Sequence, residues 1–342
     1  MDNNFKNREN VFIIAEISAN HGQRLDIARR MITEAKECGV DAVKFQAYTP
    51  DTLTIDCDNV FFQIKHEKWG GKTLYQLYGE AYTPWEWLKD LKKETEDSGL
   101  FFLCTAFDKT SVDRLEDIGV SAHKISSFEL VDLDLIAYAA SARKPLFIST
   151  GMSDIYDISS AVDTARKNHV GEVILFKCVS SYPAKPEEMN LRTIKHMEHI
   201  FNCCVGLSDH TLDIGASIAA VAVGAKVIEK HFTLSRSFAT PDSFFSINPI
   251  EMRSLVSNIR IAEKALGKVS YGITSEEKNN VMFGRSLFVV SNIEKGEVFT
   301  RENIRSIRPS YGLKPKHMDI ILGKKAKCDI KRGTPLSFNL ID

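Results

Sequence analysis

An α/β fold, a (β/α)8 TIM barrel followed by a small, mostly β carboxyl-terminal domain, is predicted by three features of this 342-residue sequence. From residue 11 onward, short apolar and β-branched runs alternate with helical segments, the pattern of βαβ crossovers and a parallel sheet. The runs number eight, which is the number that closes a barrel. After residue 283 the character changes to short strand-like segments separated by tight turns.

The eight strands are read at 11–18, 41–48, 100–107, 122–128, 145–150, 172–179, 203–208 and 225–232. Between them, stretches such as 25–38, 84–98 and 109–118 repeat apolar residues at three- and four-residue spacing and reach a glycine near their exit. One junction recurs three times, as Cys38-Gly39-Val40, Ile118-Gly119-Val120 and Val223-Gly224-Ala225, each running into a strand that ends in charged residues. No G-x-G-x-x-G follows the first strand, which argues against an open dinucleotide-binding sheet. Residues 49–82 exceed an ordinary βα connection and carry Trp69, Tyr75, Tyr78 and Tyr82, so they read as a long aromatic loop that shapes a pocket. A last helix near 249–266 closes a barrel domain of residues 1–266. The Gly/Ser/charge-rich stretch 267–283 reads as a linker, and 284–342 as the small domain, with turns at Glu294-Lys295-Gly296-Glu297 and Lys331-Arg332-Gly333-Thr334.

Composition narrows the function. Lys and Arg number 44 against 45 Asp and Glu, so no global basic field holds nucleic acid or an anionic membrane surface; any anion must be gripped by local lysines. The polar amino terminus, residues 1–10, has no signal-like apolar core, and the longest apolar stretch, 214–228, is broken by Gly215, Gly224 and Lys226. Seven cysteines without a C-x-x-C pair point to reduced thiols and a cytoplasmic setting.

The sharpest chemical signal is a pair of histidines at the ends of two successive strands, in Gly206-Leu207-Ser208-Asp209-His210 and Glu229-Lys230-His231-Phe232. A single buried histidine is more often a hydrogen-bonded residue than a ligand. Two on adjacent strand ends suggest a divalent metal site and metal-assisted chemistry. The other strand ends are polar too: Glu16 and Asn20, Lys44 and Gln46, Thr105, Lys124 with Ser126, Ser149, Lys177 and Ser180, Ser208, and Glu229. Lys44, Lys124 and Lys177 with these hydroxyls form a candidate phosphate cradle, against the plainer reading of lysines snorkelling from the rim or paired with Glu16 and Glu129.

Glu16-Ile17-Ser18-Ala19-Asn20-His21-Gly22, Lys44-Phe45-Gln46, Lys124-Ile125-Ser126-Ser127, Ser149-Thr150-Gly151-Met152, Gly206 to Thr211 and Glu229 to Leu234, in that order, resemble the sialic-acid synthase family. Arg305-Ser306-Ile307-Arg308-Pro309 and Leu322-Gly323-Lys324-Lys325-Ala326 resemble that family's carboxyl-terminal antifreeze-like (SAF) domain. Within the family, Ala47-Tyr48-Thr49-Pro50-Asp51, Leu74-Tyr75 and Tyr82-Thr83-Pro84-Trp85 are most similar to the pseudaminic-acid branch; the sialic-acid branch proper would carry an Asn near Ser180.

The resemblance implies condensation of phosphoenolpyruvate with an open-chain acetamido sugar. It implies Mn2+, Co2+ or Mg2+ on His210 and His231, and Glu16 working beside the new bond. Lys44, Thr105, Lys124, Ser126, Ser149, Ser180 and Ser208 would hold phosphoenolpyruvate, and Gln46, Tyr182 and Asp242 the sugar. It further implies a homodimer whose small domain reaches across, bringing Arg308 to the partner's barrel. Two other readings stay open: a Schiff-base aldolase using Lys44, Lys124 or Lys177, and a non-catalytic ice- or glycan-binding protein.

Overall fold

The computed structural model describes residues 5–65 and 68–342; residues 1–4 of the polar amino terminus and 66–67 of the aromatic loop lie outside it. Eight parallel strands close a barrel in sequence order: β1 (Phe12–Glu16), β2 (Ala42–Ala47), β3 (Phe101–Ala106), β4 (His123–Ile125), β5 (Leu146–Ser149), β6 (Val173–Cys178), β7 (Cys204–Asp209) and β8 (Val227–His231). Each falls inside or within one residue of its predicted span. The helices are α1 (Leu25–Cys38), α2 (Pro50–Leu53), α3 (Leu74–Ala81), α4 (Trp85–Asp97), α5 (Lys109–Asp117), α6 (Leu133–Ser141), α7 (Ile155–Lys167), α8 (Thr193–Phe201), α9 (Gly215–Ala222) and α10 (Pro249–Leu266).

Local chemistry explains these boundaries. Asn248 caps α10, accepting from the backbone N–H of Ile250 and Glu251 while Glu251 reaches back to Asn248, and Pro249 occupies the first helical position. The recurring junction glycines Gly39, Gly119 and Gly224 all take positive φ (83°, 71° and 109°), where a side chain would be strained.

The two-residue period of each strand divides the core. Phe12, Ile14, Ala42, Phe101, Leu103, Phe147, Ile174 and Phe176 fill the barrel, while Ile13, Ala15, Val43, Phe45, Phe102, Ile148, Leu175 and Ile228 face the helices. Phe5 plugs the amino-terminal end, packing edge-on to Phe12 and Phe147, and Glu172 accepts from the backbone N–H of Phe5 and Lys6.

The same period corrects one expectation. Cys178, Phe176 and Ile174 point inward, so Lys177 points outward, where its ammonium donates to Cys178 O at 3.0 Å. It takes no part in the cradle. A refinement concerns 49–82: the connection contains two short helices, α2 and α3, each opened by a threonine capping box (Thr49 with Thr52, Thr73 with Gln76), and the rest of it is loop.

The chain divides after Gly267 into two compact units. The second holds an antiparallel pair, β9 (Ser286–Val289) with β10 (Ile304–Ile307), and the short helix α11 (Met318–Ile321), around a core that includes Leu287, Val289, Phe299, Ile304 and Leu336. Within 267–283, residues Glu276–Phe283 form a 3-10 helix, and Ser310 donates to Val281 O and Met282 O. No helix among the described residues is long and apolar enough to cross a membrane.

Candidate active site

At the carboxyl ends of the barrel strands the inward residues turn from apolar to polar. They surround a cavity of about 500 Å³ lined by Glu16, Lys44, Gln46, Thr105, Lys124, Ser126, Ser149, Tyr182, Ser208, His210, His231 and Asp242. Twelve of the fourteen residues anticipated from sequence therefore share one space. Register explains the convergence: Glu16 pairs with Lys44 on one side and His231 on the other, Thr105 with Lys124, and Ser208 with both Cys178 and Glu229.

Two anticipated residues stand elsewhere. Ser180 lies past the end of β6, crowded against Ser127 and Gly151 so closely that a Cβ on Gly151 would come 2.2 Å from Ser180 Oγ, and it is not part of the cavity wall. Arg308 belongs to the second unit, just after β10.

The electrostatics of the floor separate two buried lysines. Lys44 sits between carboxylates, 2.7 Å from Glu229 Oε1 and 3.5 Å from Glu16 Oε2. Burial disfavours its charge, but Glu16 and Glu229 outweigh that and raise its pKa. Lys124 has no carboxylate so close among the described residues; it donates to Ser149 Oγ and Ile125 O, and burial together with the Lys44 charge lowers it to about 8.

The two carboxylates also diverge. Burial would raise Glu229, but Lys44 and Lys124 hold it at about 2, and Ser208 Oγ donates to it at 3.0 Å. Glu16, farther from the shared ammonium, is raised by burial to about 8 despite Lys44; its Oε1 accepts from Gln46 Nε2 at 2.9 Å, while its Oε2 meets just the 3.5 Å ion-pair contact with Lys44 among the described residues. The buried Glu16 Oε2, Glu229 Oε2 and Thr105 Oγ1 have no hydrogen-bond partner among the described residues. Unpaired buried donors and acceptors are costly, so they mark the floor as a place built to receive a polar ligand.

The histidine rings face each other with centroids 5.3 Å apart, and Tyr182 packs on His210 at 4.4 Å. His210 Nδ1 lies 2.8 Å from Val179 O, which keeps a proton on Nδ1; burial opposes this histidine's charge, but Cys178 and the Val179 carbonyl outweigh that and raise it above its ordinary range. Burial, reinforced by the His210 charge, drives His231 well below the ordinary histidine range; Asp242 Oδ2 stands 3.7 Å from its Nδ1, which has no hydrogen-bond partner among the described residues. Among the described residues no group of three or more His, Cys, Asp or Glu has metal-binding geometry. The imidazole of His231 and, once its second proton is lost, Nε2 of His210 still fit a divalent ion that takes its other ligands from substrate and water.

Beneath the histidines lies a fully buried brace that faces the helices. Lys230 Nζ donates to Asp209 Oδ2 (2.9 Å) and Thr211 O (2.8 Å), while Ser217 and Thr211 donate to the Asp209 carboxylate.

Sequence reasoning passed over Cys178, whose thiol lies 3.9 Å from His210 Nδ1 and 3.5 Å from Ser127 Oγ. Burial would raise this thiol, yet the charge and hydrogen bond of His210 outweigh it and lower it to about 7. It read Glu129 only as a lysine partner, whereas Glu129 accepts the Ser126 hydroxyl, and it passed over the apolar residues of α2 and α3. The parity of β6 points Cys178 inward only once the closed barrel fixes which face looks at the axis. Nothing local marked the rest.

A barrel whose carboxyl-terminal mouth carries two buried lysines among hydroxyls and carboxylates, with facing imidazoles, belongs among the enzymes that bind a compact anion beside a second, polar substrate. The family profile described as "NeuB family" matches residues 31–271, and that of the "SAF domain" matches 284–342. The chain belongs to the NeuB family of sialic-acid-type synthases. It is 40% identical over 333 residues to the pseudaminic acid synthase of Campylobacter jejuni subsp. jejuni serotype O:2, covering 97% of each chain. It is 34% identical to the N,N'-diacetyllegionaminic acid synthase of Legionella pneumophila, covering 97% of this chain and 94% of the relative. Among solved structures, spore coat polysaccharide biosynthesis protein SpsE of Bacillus subtilis matches with a TM-score of 0.66 at 33% identity, covering 97% of this chain and 95% of the other.

Proposed function

We propose that this chain is a pseudaminic acid synthase, condensing phosphoenolpyruvate with 2,4-diacetamido-2,4,6-trideoxy-L-altrose and water to give pseudaminic acid and phosphate. The observation that carries the reading is the cavity floor, where Lys124, Ser149, Thr105 and Ser208 surround a space with unsatisfied polar atoms. The near-full-length identity to the Campylobacter enzyme supports the choice of sugar.

The residues divide the chemistry. Lys124, not engaged by a carboxylate, and the hydroxyls of Thr105, Ser149 and Ser208 bind the phosphate and carboxylate; Lys44 stays charged beside Glu229 and adds to their field. The resemblance adds Ser126 and Ser180 to this set; Ser126 on the wall is held by Glu129, and Ser180 lies beside Gly151 off the wall. Glu16, raised to about 8, is protonated at neutral pH and in this reading gives its proton to the aldehyde oxygen as the enol carbon attacks. Water adds to the resulting cation at C2, and phosphate leaves. Gln46, Tyr182 and Asp242 line the sugar side. His210 and His231 would hold a divalent ion (Mn2+, Co2+ or Mg2+), which would supply Lewis acidity for a substrate carbonyl.

The assembly proposed is a homodimer in which the small domain of one subunit brings Arg308 to the barrel of the other. Charge complementarity supports it: residues 268–342 carry 14 Lys and Arg against 8 Asp and Glu, leaving 30 against 37 in residues 1–267. A cytoplasmic location is proposed from the seven cysteines, all free thiols.

The test is phosphate release from phosphoenolpyruvate with a panel of N-acetylmannosamine and di-N-acetylated 6-deoxy hexoses, which separates the neuraminate, legionaminate and pseudaminate reactions. With label in the bridging oxygen, C–O cleavage sends it into inorganic phosphate; label retained in the sugar acid rules this chemistry out. Lys124, with its lowered pKa, is the lysine that best suits the Schiff-base reading. Borohydride with pyruvate traps that adduct if it forms.

A further inference from the structure

The polar floor occupies only part of the cavity. Above it the same space is lined by Leu53 of α2, Leu74 and Leu77 of α3, Ile64 between these helices, and Phe107 after β3. The three leucines are only half-buried although they face a cavity rather than the protein surface, and a ligand covering them would remove apolar area from water. Lys44 and Lys124 are the only cations of Lys or Arg type on the wall among the described residues, and both lie at the floor. The upper wall is therefore unsuited to a phosphate. Its interleaved polar groups are the phenols of Tyr48 and Tyr78, both kept protonated by burial, and Glu129, whose carboxylate accepts the Ser126 hydroxyl.

This wall is braced. Thr73 and Gln76 cap α3 reciprocally, Gln23 Nε2 donates to Gly79 O at 2.9 Å, and the Tyr48 and Tyr78 rings meet edge to face at 5.8 Å. A preformed apolar surface binds without first having to order itself.

We infer that the α2–α3 insertion after β2 sets acceptor specificity, selecting sugars whose far end carries a methyl and an acylamido group in place of free hydroxyls. This rests on the synthase reading of the same site. Leu74 and Leu77 are the specificity-determining residues, and Leu53 extends their surface. A single methyl group in an apolar pocket discriminates by about 10- to 200-fold, and such a pocket rejects an added hydroxyl by about 100-fold.

The experiment uses the full chain with phosphoenolpyruvate and two acetamido sugars that differ only at C6, methyl against hydroxymethyl, followed by phosphate release. The wild type is expected to favour the methyl sugar by about 10- to 100-fold in kcat/KM, and Leu74→Asn and Leu77→Asn each to shrink that ratio about tenfold, mainly by losing the methyl sugar. The ratio is internal to each preparation, so a partly inactive sample does not distort it. Leu53→Asn, on a separate helix, carries the same test if α3 does not tolerate asparagine. Tyr75→Phe, which loses an exposed contact with Asp51 outside the cavity, should leave the ratio unchanged. A wild-type ratio near one, or an unaltered ratio in the leucine variants, overturns the inference while phosphate release leaves the synthase reading standing. No release with any sugar overturns that reading and this inference with it.

Discussion

Lys44 and Lys124 stand on neighbouring parts of one cavity floor, yet a few ångströms of carboxylate decide their different chemistry. Lys44 is locked to Glu229 at 2.7 Å, whereas Lys124 faces hydroxyls and is lowered to about 8 by burial and the Lys44 charge. As pH rises through about 8, the free enzyme loses the cation that meets phosphoenolpyruvate, so kcat/KM for that substrate should fall on the alkaline side. Lys124→Arg, which stays charged, should move that limb upward if lysine ionisation causes it. An unmoved limb would assign it to Glu16 instead. His21 offers a stability counterpart: buried between Thr83 and the Gln23 N–H, it is lowered to about 4 by desolvation. A depressed folded pKa means that its stabilising contribution is complete above the unfolded value near 6.5 and is lost as pH falls toward 4. Urea titrations should show wild type losing up to about 3 kcal/mol across that window relative to His21→Gln. The Lys230–Asp209 brace predicts asymmetry of another kind. Lys230→Met alone leaves a buried carboxylate uncompensated and should cost about 3–5 kcal/mol, while the double variant with Asp209→Asn should recover much of it.

At the scale of the element, strand parity does most of the positioning. Gly206 lies on the inward face of β7, and a Cβ there would approach Val227 O to 2.3 Å, so the backbones of β7 and β8 sit too close for any side chain. Gly206→Ala should therefore lower stability and, by separating Ser208 and His210 from Glu229 and His231, reduce turnover as well. Thermal denaturation and steady-state kinetics on the same preparation read both. The plug at the opposite end is a packing device alone: Phe5→Ala opens a void against Phe12 and Phe147 and should cost about 3–5 kcal/mol in urea denaturation, with little change in substrate KM.

At the scale of the whole molecule, the proposed assembly makes the site dependent on two chains. Arg308→Ala and His231→Ala chains, each nearly inactive, can be unfolded together, mixed equally and refolded, making half the dimers hybrids. A hybrid holds one intact barrel served by its partner's arginine, so activity should recover to about a quarter of wild type if the small domain acts across the dimer. No recovery in verified hybrid dimers removes that arrangement. Chelation should abolish phosphate release and Mn2+, Co2+ or Mg2+ restore it; full activity in excess chelator would remove the metal from the reaction.

Much of this architecture was legible in the chain itself. The eight strands, the 249–266 helix and the change of character after residue 283 are local properties, written in apolar runs, capping residues and glycines that a backbone turn requires. The polar strand ends were equally visible, because charged residues abutting apolar runs stand out in any reading. The faces of the strands were not visible. Both faces of every barrel strand are buried, so alternation carries no polar signal, and whether a residue looks at the axis or at the helices is settled only when the barrel closes in one register. That closure turned Lys177 away from the cavity and Cys178 into it, set Lys44 rather than Lys124 between the two carboxylates, and folded part of an apparent loop into the apolar wall of α2 and α3. The residue types at the site are a matter of sequence, but their facing, partners and ionisation arise from contacts between strands far apart along the chain.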